Sequence, residues 1–186
     1  MTVADYLAHE GSAVEKLGKR SYWDGEVFAM AGASRVHNRL TAAVLGELHA
    51  ALRGMPCQPY GSVQRVCVAE GGRYVYPDAS VTCRPVTTAR SDEDSITNPT
   101  LVVEVLSEST EAFDRGEKFV AYRKLASLSD YMLLSQNVAR LEHFTRGPEG
   151  SWVLRTYEAG AVVKIASLGI ELAVNALYDG AFDPPI

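Results

Sequence analysis

The stretch that decides the fold is Leu101-Val102-Val103-Glu104-Val105-Leu106, an apolar run with one acid inside it. A short run of this kind is typical of a central strand that is covered on both faces. Glu104 would then lie in a medium of low dielectric, where an unpaired charge is very costly. The sequence therefore predicts that a partner compensates this charge, and a metal ion is a good candidate.

A second acid, Asp78, lies in another strand-like segment, directly after Pro77. If that strand neighbours the central strand, the two carboxylates can reach one point. Hard cations such as Mg²⁺ bind a few carboxylate oxygens and keep several waters, and the bound ion acidifies a water and stabilises charge on a scissile phosphate. We therefore expect Asp78 and Glu104 to share a divalent-cation site, completed by the Val105 carbonyl and waters. The alternative is a strand-end acid that backbone groups or an arginine satisfy.

A lysine follows in the helical pattern that comes after the central strand. Asp114, Lys118 and Tyr122 fall on one side of this helix because they are spaced four residues apart. Lys118 is therefore predicted to lean towards the apolar side, where it could orient or help deprotonate a nucleophilic water and offset phosphate charge. The alternative is a simple helix pair between Asp114 and Lys118, worth roughly 0.2–0.5 kcal/mol.

Two further side chains are weaker candidates for the same site. Glu26 begins a strand after the turn Asp24-Gly25, and His37 lies in the first turn of a helix that Ser34 can cap. Either could support the two acids or act as a third metal ligand. His37 could equally be a surface residue.

The remaining pattern predicts an α+β or α/β layout, which we assign to one domain over residues 1–186. Leu40, Val44 and Leu48 recur every four residues and mark the buried stripe of a helix over about 35–53. Residues 84–99 are polar and are predicted to form a mobile surface loop. Further strands are predicted over 63–68, 73–76, 78–83, 130–135, 138–145, 152–157 and 162–165, with a short helix over 174–178.

Composition limits the classes of partner and compartment. The formal net charge of −5 gives no overall basic footprint, so contact with nucleic acid would need a local patch, for which we nominate Arg115, Arg123 and Lys124. No apolar stretch approaches about 18 residues, so no membrane span is expected. The N-terminus lacks the basic and apolar regions of a signal peptide. The three cysteines contain no C-x-x-C pair, which argues against a disulfide scaffold and favours a reducing cytosol.

Four groups of residues occur in an order that is specific, although each group alone is common. They are Tyr22-x-Asp24-Gly25-Glu26-x-Phe28-x-Met30-Ala31-Gly32-Ala33-Ser34-x-x-His37, then Pro77-Asp78-Ala79-Ser80-Val81, then Leu101-Val102-Val103-Glu104-Val105-Leu106-Ser107-x-Ser109-Thr110, then Asp114-Arg115-x-x-Lys118-x-x-x-Tyr122. Over about residues 2–165, the chain resembles the Uma-two family of bacterial predicted restriction endonucleases, in the PD-(D/E)xK nuclease superfamily.

This resemblance implies a restriction-endonuclease-like fold, with a mixed central sheet flanked by helices. It also implies Mg²⁺-dependent hydrolysis of DNA, with Mn²⁺ as a possible substitute, and matches Asp78 and Glu104 to the motif acids. The superfamily's lysine is expected two residues after the second acid, where Leu106 stands. The resemblance assigns its charge to Lys118. By analogy with nucleases of this size we expect a homodimer, since two sites are needed to cut both strands.

Two other functions fit the same sequence. One is a catalytically silent module that binds nucleic acid or protein, which the acidic net charge and Leu106 favour. The other is a small-molecule hydrolase that uses the same metal centre. The trio of Asp78, Glu104 and Lys118 argues against a silent module, because binding alone does not need a buried acid cluster.

Overall fold

The structure, a computed structural model, describes residues 1–11, 20–29, 33–69 and 72–182, so the family-pattern positions 30–32 lie outside the described residues. Runs of consecutive strands are separated by helical segments along the chain. In chain order they are α1 (Val3–Gly11), β1 (Arg20–Trp23), β2 (Glu26–Ala29), α2 (Arg35–Ala51), β3 (Cys57–Gly61), β4 (Val66–Ala69), β5 (Arg73–Val75), β6 (Ala79–Cys83), β7 (Thr88–Ala89), β8 (Asp92–Ile96), β9 (Leu101–Leu106), α3 (Glu111–Phe113), a π-helical segment (Asp114–Lys118), α4 (Phe119–Tyr122), β10 (Asp130–Ser135), β11 (Arg140–Arg146), a 3₁₀ turn (Pro148–Gly150), β12 (Trp152–Glu158), β13 (Val162–Ile165), β14 (Ile170–Ala173) and α5 (Val174–Leu177).

Six strands form the central sheet, in the order β12-β11-β10-β9-β6-β3. β9 lies inside it, parallel to β10 and antiparallel to β6. All six residues of β9 are buried, as its apolar run predicts. A parallel pair needs a crossover connection, and the helical residues 111–122 supply it between β9 and β10. The mixed sheet with flanking helices confirms the predicted fold class.

α2 covers one face of this sheet. Its apolar stripe of Leu40, Val44 and Leu48 is buried and belongs to the same core cluster as Val103 and Val105 of β9. The predicted stripe is therefore confirmed, and the helix ends within two residues of its predicted end. With 17 residues α2 is the longest helix in the described ranges, where no helix has both the length and the apolar character to cross a membrane.

The β1–β2 hairpin also forms where the sequence predicts it. Asp24 and Gly25 at the tip have φ values of 48° and 102°, the left-handed region that a type I′ turn requires at both central positions. The hairpin is part of a second six-stranded sheet, in the order β2-β1-β5-β4-β8-β7.

The prediction of a surface loop over residues 84–99 is wrong. The segment contains the β7–β8 hairpin, in which Ala89, Ser95 and Ile96 are buried. Asp92 is held by Arg65, whose Nε donates to Asp92 Oδ2 at 2.9 Å. Asp92, which looks solvent-exposed in the sequence, is thus fixed by an arginine that is distant along the chain. The strands β3 and β14 are also absent from the sequence prediction.

The inference from cysteine count needs a correction as well. Cys57 in β3 and Cys83 in β6 lie directly opposite each other in the ladder and form a disulfide. Cys67 is buried outside this pair. Sequence spacing could not reveal the pairing, because the two cysteines are 26 positions apart and lie in separate strands. The cysteine pattern therefore gives no support for a reducing compartment.

Candidate active site

Asp78 lies one residue before β6, at the point where the ladder between β6 and β9 ends. That ladder pairs Ala79 with Val103, so continuing its register brings Asp78 level with Glu104. Beyond the end of the ladder, the Asp78 side chain replaces a backbone acceptor: Asp78 Oδ2 accepts a hydrogen bond from the N–H of Val105 at 2.8 Å. With 14% of the side chain exposed, the carboxylate stands at the open end of the two strands. The two predicted acids are thus brought together on neighbouring strands.

Glu104 is compensated first of all by Lys118. The distance from Lys118 Nζ to Glu104 Oε1 is 2.7 Å, and only 3% of the Glu104 side chain is exposed. Lys118 Nζ also donates to Asp114 Oδ1 at 3.1 Å. The predicted helix pair of Asp114 and Lys118 therefore exists, but it is one half of a larger buried cluster that includes the strand acid. The predicted inward position of Lys118 is confirmed, and its catalytic role stays a prediction.

The backbone around Lys118 departs from a regular helix. Residues 114–118 form a π-helical segment, a conformation that usually occurs as a single wide turn and is frequent at functional sites. The hydroxyl of Tyr131, in β10, donates to the Asp114 carbonyl at 2.9 Å. Asp114 and Lys118 are both buried, so the wide turn directs both side chains inward, against β9.

Burial and neighbouring charges shift the pKa values of Glu104 and Lys118 in the cluster. Burial raises the pKa of Glu104; Lys118 opposes the rise, and the charges of Asp114 and Asp78 add to it. Burial lowers the pKa of Lys118, but the charges of Glu104 and Asp114 outweigh burial and hold it above its ordinary value. Lys118 is therefore a fixed cation that contacts two carboxyl groups, those of Glu104 and Asp114.

His37 reaches the same cluster from the first turn of α2. Its Nε2 lies 3.3 Å from Asp78 Oδ2. Burial lowers the pKa of His37, but the hydrogen bond and charge of Asp78, together with the Val105 carbonyl and Asp114, raise it above the ordinary value. The cap explains this placement, because Ser34 Oγ accepts the N–H of His37 at 3.1 Å and itself donates to Gln136 Oε1 at 2.7 Å.

The donor set fits a hard divalent cation. Within the described part of the chain, hydrogen bonds use Oδ2 of Asp78 and Oε1 of Glu104, and none reaches Asp78 Oδ1 or Glu104 Oε2. Val105 directs its carbonyl to the same strand edge as its N–H, towards Asp78 and His37. Across the described residues, no three His, Cys, Asp or Glu side chains form a ready metal-binding group. Two carboxylates, a carbonyl and waters are nevertheless a common donor set for Mg²⁺.

The other predicted residues lie around this cluster in different ways. Glu26 is exposed on β2, the edge strand of the second sheet. Arg115 is held by two carboxylates, with Nε 2.7 Å from Glu111 Oε1 and Nη2 3.0 Å from Glu142 Oε1. Arg123 and Lys124 are exposed after α4.

Two tyrosines complete the site and were not among the predicted site residues. Tyr122 is fully buried, and its hydroxyl donates to Glu104 Oε1 at 3.1 Å. Burial, followed by the charge of Glu104, raises its pKa well above the ordinary value, so the hydroxyl remains a donor. The sequence did carry a signal for it, since Tyr122 follows Lys118 by four residues on the same helical side. The contact of Tyr131 with the Asp114 carbonyl had no such signal.

Comparisons with known proteins agree on one family and one fold. The family model Uma2, described as "Putative restriction endonuclease", matches residues 3–175. The uncharacterized protein slr1290 of Synechocystis sp. is 35% identical over 95% of this chain and 90% of its own length. A second uncharacterized Synechocystis protein, sll1609, is 34% identical over 83% of this chain and 85% of its own. A crystal structure described as a putative nuclease belonging to DUF820, from Anabaena variabilis, superposes with a TM-score of 0.76 at 13% identity, covering 98% of this chain and 99% of that one.

The charge balance of the cluster predicts a large stability cost for removing its cation. We expect Lys118→Met to destabilise the protein by about 3–5 kcal/mol near neutral pH, because Glu104 and Asp114 are left buried without a cation. In this variant the folded-state pKa of Glu104 rises further above its unfolded value of about 4.3. A carboxyl group whose pKa is raised by folding destabilises the folded state when the pH is above its unfolded pKa. The stability lost in Lys118→Met should therefore shrink as the pH falls towards the unfolded pKa of Glu104.

Urea unfolding at neutral and mildly acidic pH measures this. The matched control is Lys124→Met, which removes an exposed lysine near the end of the same helical stretch and should change stability by no more than about 0.5 kcal/mol. Equal, small effects of the two substitutions would show that Lys118 does not balance the buried acids.

Proposed function

Because the chain belongs to the Uma2 family, we propose that it is a Mg²⁺-dependent endonuclease that hydrolyses phosphodiester bonds of DNA. The family and the fold support a nuclease. The observation that carries the finer proposal is the 2.7 Å contact between Lys118 Nζ and Glu104 Oε1, beside an Asp78 that is held level with Glu104. Two acids and a lysine at one point are the parts that metal-assisted phosphodiester hydrolysis needs.

Each residue has a distinct proposed role in this reaction. Asp78 and Glu104 hold the ion together with the Val105 carbonyl, and the N–H of Val105 fixes the orientation of Asp78. Tyr122 fixes Glu104 through its hydroxyl. A bound Mg²⁺ supplies an acidified water and stabilises charge on the scissile phosphate. Lys118 is charged, so we propose that it orients the water and offsets phosphate charge as a hydrogen-bond donor.

Asp114, His37 and Glu26 are proposed as supporting residues. Asp114 contacts the Lys118 ammonium together with Glu104 and helps to fix its position. His37 faces both Asp78 and the Val105 carbonyl, so it can adjust the charge on the two donors nearest the strand end. Glu26 would act from the second sheet, and its exposure leaves it available to a substrate or to solvent cations.

DNA contact is proposed for Arg115, Arg123 and Lys124. The exposure of Arg123 and Lys124 lets them reach phosphate directly. Arg115 would first have to exchange Glu111 or Glu142 for a phosphate oxygen. We further propose a cytoplasmic homodimer, in which two sites serve the two strands of a duplex.

A second candidate, a catalytically silent binding module, is favoured by one observation. Lys118 already contacts two carboxylates of the cluster, and His37 contacts the third, so each acid has a protein partner. A cluster satisfied in this way could be purely structural. Metal binding and cleavage separate the two candidates.

Titration with Mn²⁺ tests the proposed ion site without relying on cleavage. Calorimetry should show binding to the wild-type protein and its loss in Asp78→Asn, which removes one charge and keeps the shape of the side chain. Glu171→Gln, on the exposed side of β14, is the control and should bind as the wild type does. Undiminished binding by Asp78→Asn would refute the site.

Cleavage itself is tested by nicking of a supercoiled plasmid in Mg²⁺ or Mn²⁺. The wild-type protein should nick, Glu104→Gln should not, and Glu171→Gln should retain activity. The amide keeps the size of Glu104 and can still accept from Tyr122, but it supplies no charge to a cation. A folded wild-type protein that binds Mn²⁺ and nicks no DNA would favour the silent module.

The proposed catalytic role of Lys118 can be tested by moving the lysine to position 106. We expect Lys118→Ala to keep Mn²⁺ binding but to lose about 10²–10³-fold in nicking rate, the range for the loss of one preorganised hydrogen-bond donor. Leu106 is two residues from Glu104 on the same strand face, so adding Leu106→Lys should restore part of the rate. The variants are compared at equal folded fraction, because Leu106 is buried. Full activity of Lys118→Ala would remove Lys118 from the catalytic set.

A further inference from the structure

The outer strand of the central sheet, β12, is paired on one side only. Its seven residues, Trp152–Glu158, form an uninterrupted antiparallel ladder with β11. On the opposite side, no strand of the described ranges pairs with it. Val153 and Leu154 are 44% and 48% exposed, one on each face of the strand. This edge is therefore long, regular and partly apolar.

The ladder also shows which backbone groups face outward. The N–H of Gly147 donates to the Ser151 carbonyl at 2.8 Å, which makes these two residues a hydrogen-bonded pair. Such pairs recur at every second residue, so Val153, Arg155 and Tyr157 bond to β11. The N–H and C=O groups of Leu154 and its alternate neighbours 152 and 156 then point away from the sheet.

Edge strands of this kind are usually protected. Natural sheets place proline, lysine, bulges or very short strands at their edges to prevent pairing with another chain. The other edge of the same sheet follows this rule, since β3 carries Pro59. β12 has no proline, no lysine and no register shift against β11, and its charged residues are Arg155 and Glu158. The contrast between the two edges indicates that β12 is kept open for a partner strand.

We propose that β12 pairs antiparallel with β12 of a second copy of this chain, so that the two central sheets become continuous. Only a register that places outward-facing residues opposite one another makes the hydrogen bonds. Centred on Leu154, it sets Leu154 against its symmetry mate and Arg155 against Val153. Centred on Arg155, it would set two guanidinium groups opposite each other, which is destabilising. Of these two registers, we assign the one centred on Leu154.

This interface leaves the candidate active site open. Glu104 lies on β9, three strands inward from β12, which is about 14 Å at roughly 4.8 Å per strand. The proposal gives a physical basis for the homodimer proposed above and rests on that part of the proposed function. Loss of pairing should separate the two copies without damaging either site.

Sedimentation of the full chain tests the interface. The wild-type protein should sediment as a dimer, and Leu154→Lys as a monomer with half the mass, because two lysines would face each other at the symmetry axis. Thr156→Pro removes an outward N–H without breaking the ladder with β11, and should have the same effect. The matched control is Val162→Lys, an equally exposed valine at 47% on β13, which should remain dimeric.

Hydrogen exchange on the unmodified protein gives a reading that does not depend on any variant folding. The amides of Leu154 and Thr156 should become protected as protein concentration rises, while exposed amides of β13 do not change. A monomeric wild-type protein, or dimers in both β12 variants, would overturn the proposal. Plasmid nicking separates failure of the interface proposal from failure of the nuclease proposal. We expect Leu154→Lys to be monomeric and still to nick. Absence of nicking by every form would refute the nuclease proposal and leave the interface result intact.

Discussion

The ammonium group of Lys118 is the element on which the rest of the site depends. It contacts Glu104 at 2.7 Å and Asp114 at 3.1 Å inside the protein, where either carboxylate alone would be very costly. The wide turn over residues 114–118, the Tyr131 contact to its backbone and the Tyr122 contact to Glu104 all serve to hold this arrangement. Burial raises the pKa of Glu104, and Lys118 opposes the rise. A divalent ion beside Asp78 and Glu104 would likewise favour the charged form of Glu104.

Lys118 reaches Glu104 from a different element of the fold, so the cluster depends on where side-chain tips meet. In the superfamily pattern the lysine stands two residues after the second acid, and here Leu106 fills that position as part of the packed core. The positive charge comes instead from Lys118, in the crossover between β9 and β10. This is possible because β9 and the crossover are joined directly, so a helix residue can reach a strand residue fourteen positions earlier. Glu104 therefore keeps its cation while its own strand keeps an apolar face.

The sequence predicted what depends on local pattern. The buried β9, the stripe of α2 and the Asp24-Gly25 turn all follow from periodicity or turn chemistry, whereas the pairing of the Asp78 and Glu104 strands entered only as a condition. The sequence prediction failed where the structure depends on a contact between residues far apart in the chain. Asp92 looks solvated in the sequence but is bound by Arg65. The disulfide between β3 and β6 is the second case. The π-helical turn and the Tyr131 contact are likewise tertiary effects. The assignment of a single domain over 1–186 remains a prediction.

The central claim is that Asp78, Glu104 and the Val105 carbonyl form one cation site beside Lys118. The most direct measurement is an anomalous difference map from crystals soaked in Mn²⁺. We expect one strong peak for a Mn²⁺ ion bound by Asp78, Glu104 and the Val105 carbonyl. Waters should occupy the remaining coordination positions, and Lys118 should still contact Glu104. No peak at this point, or a peak only at other carboxylates of the chain, would contradict it.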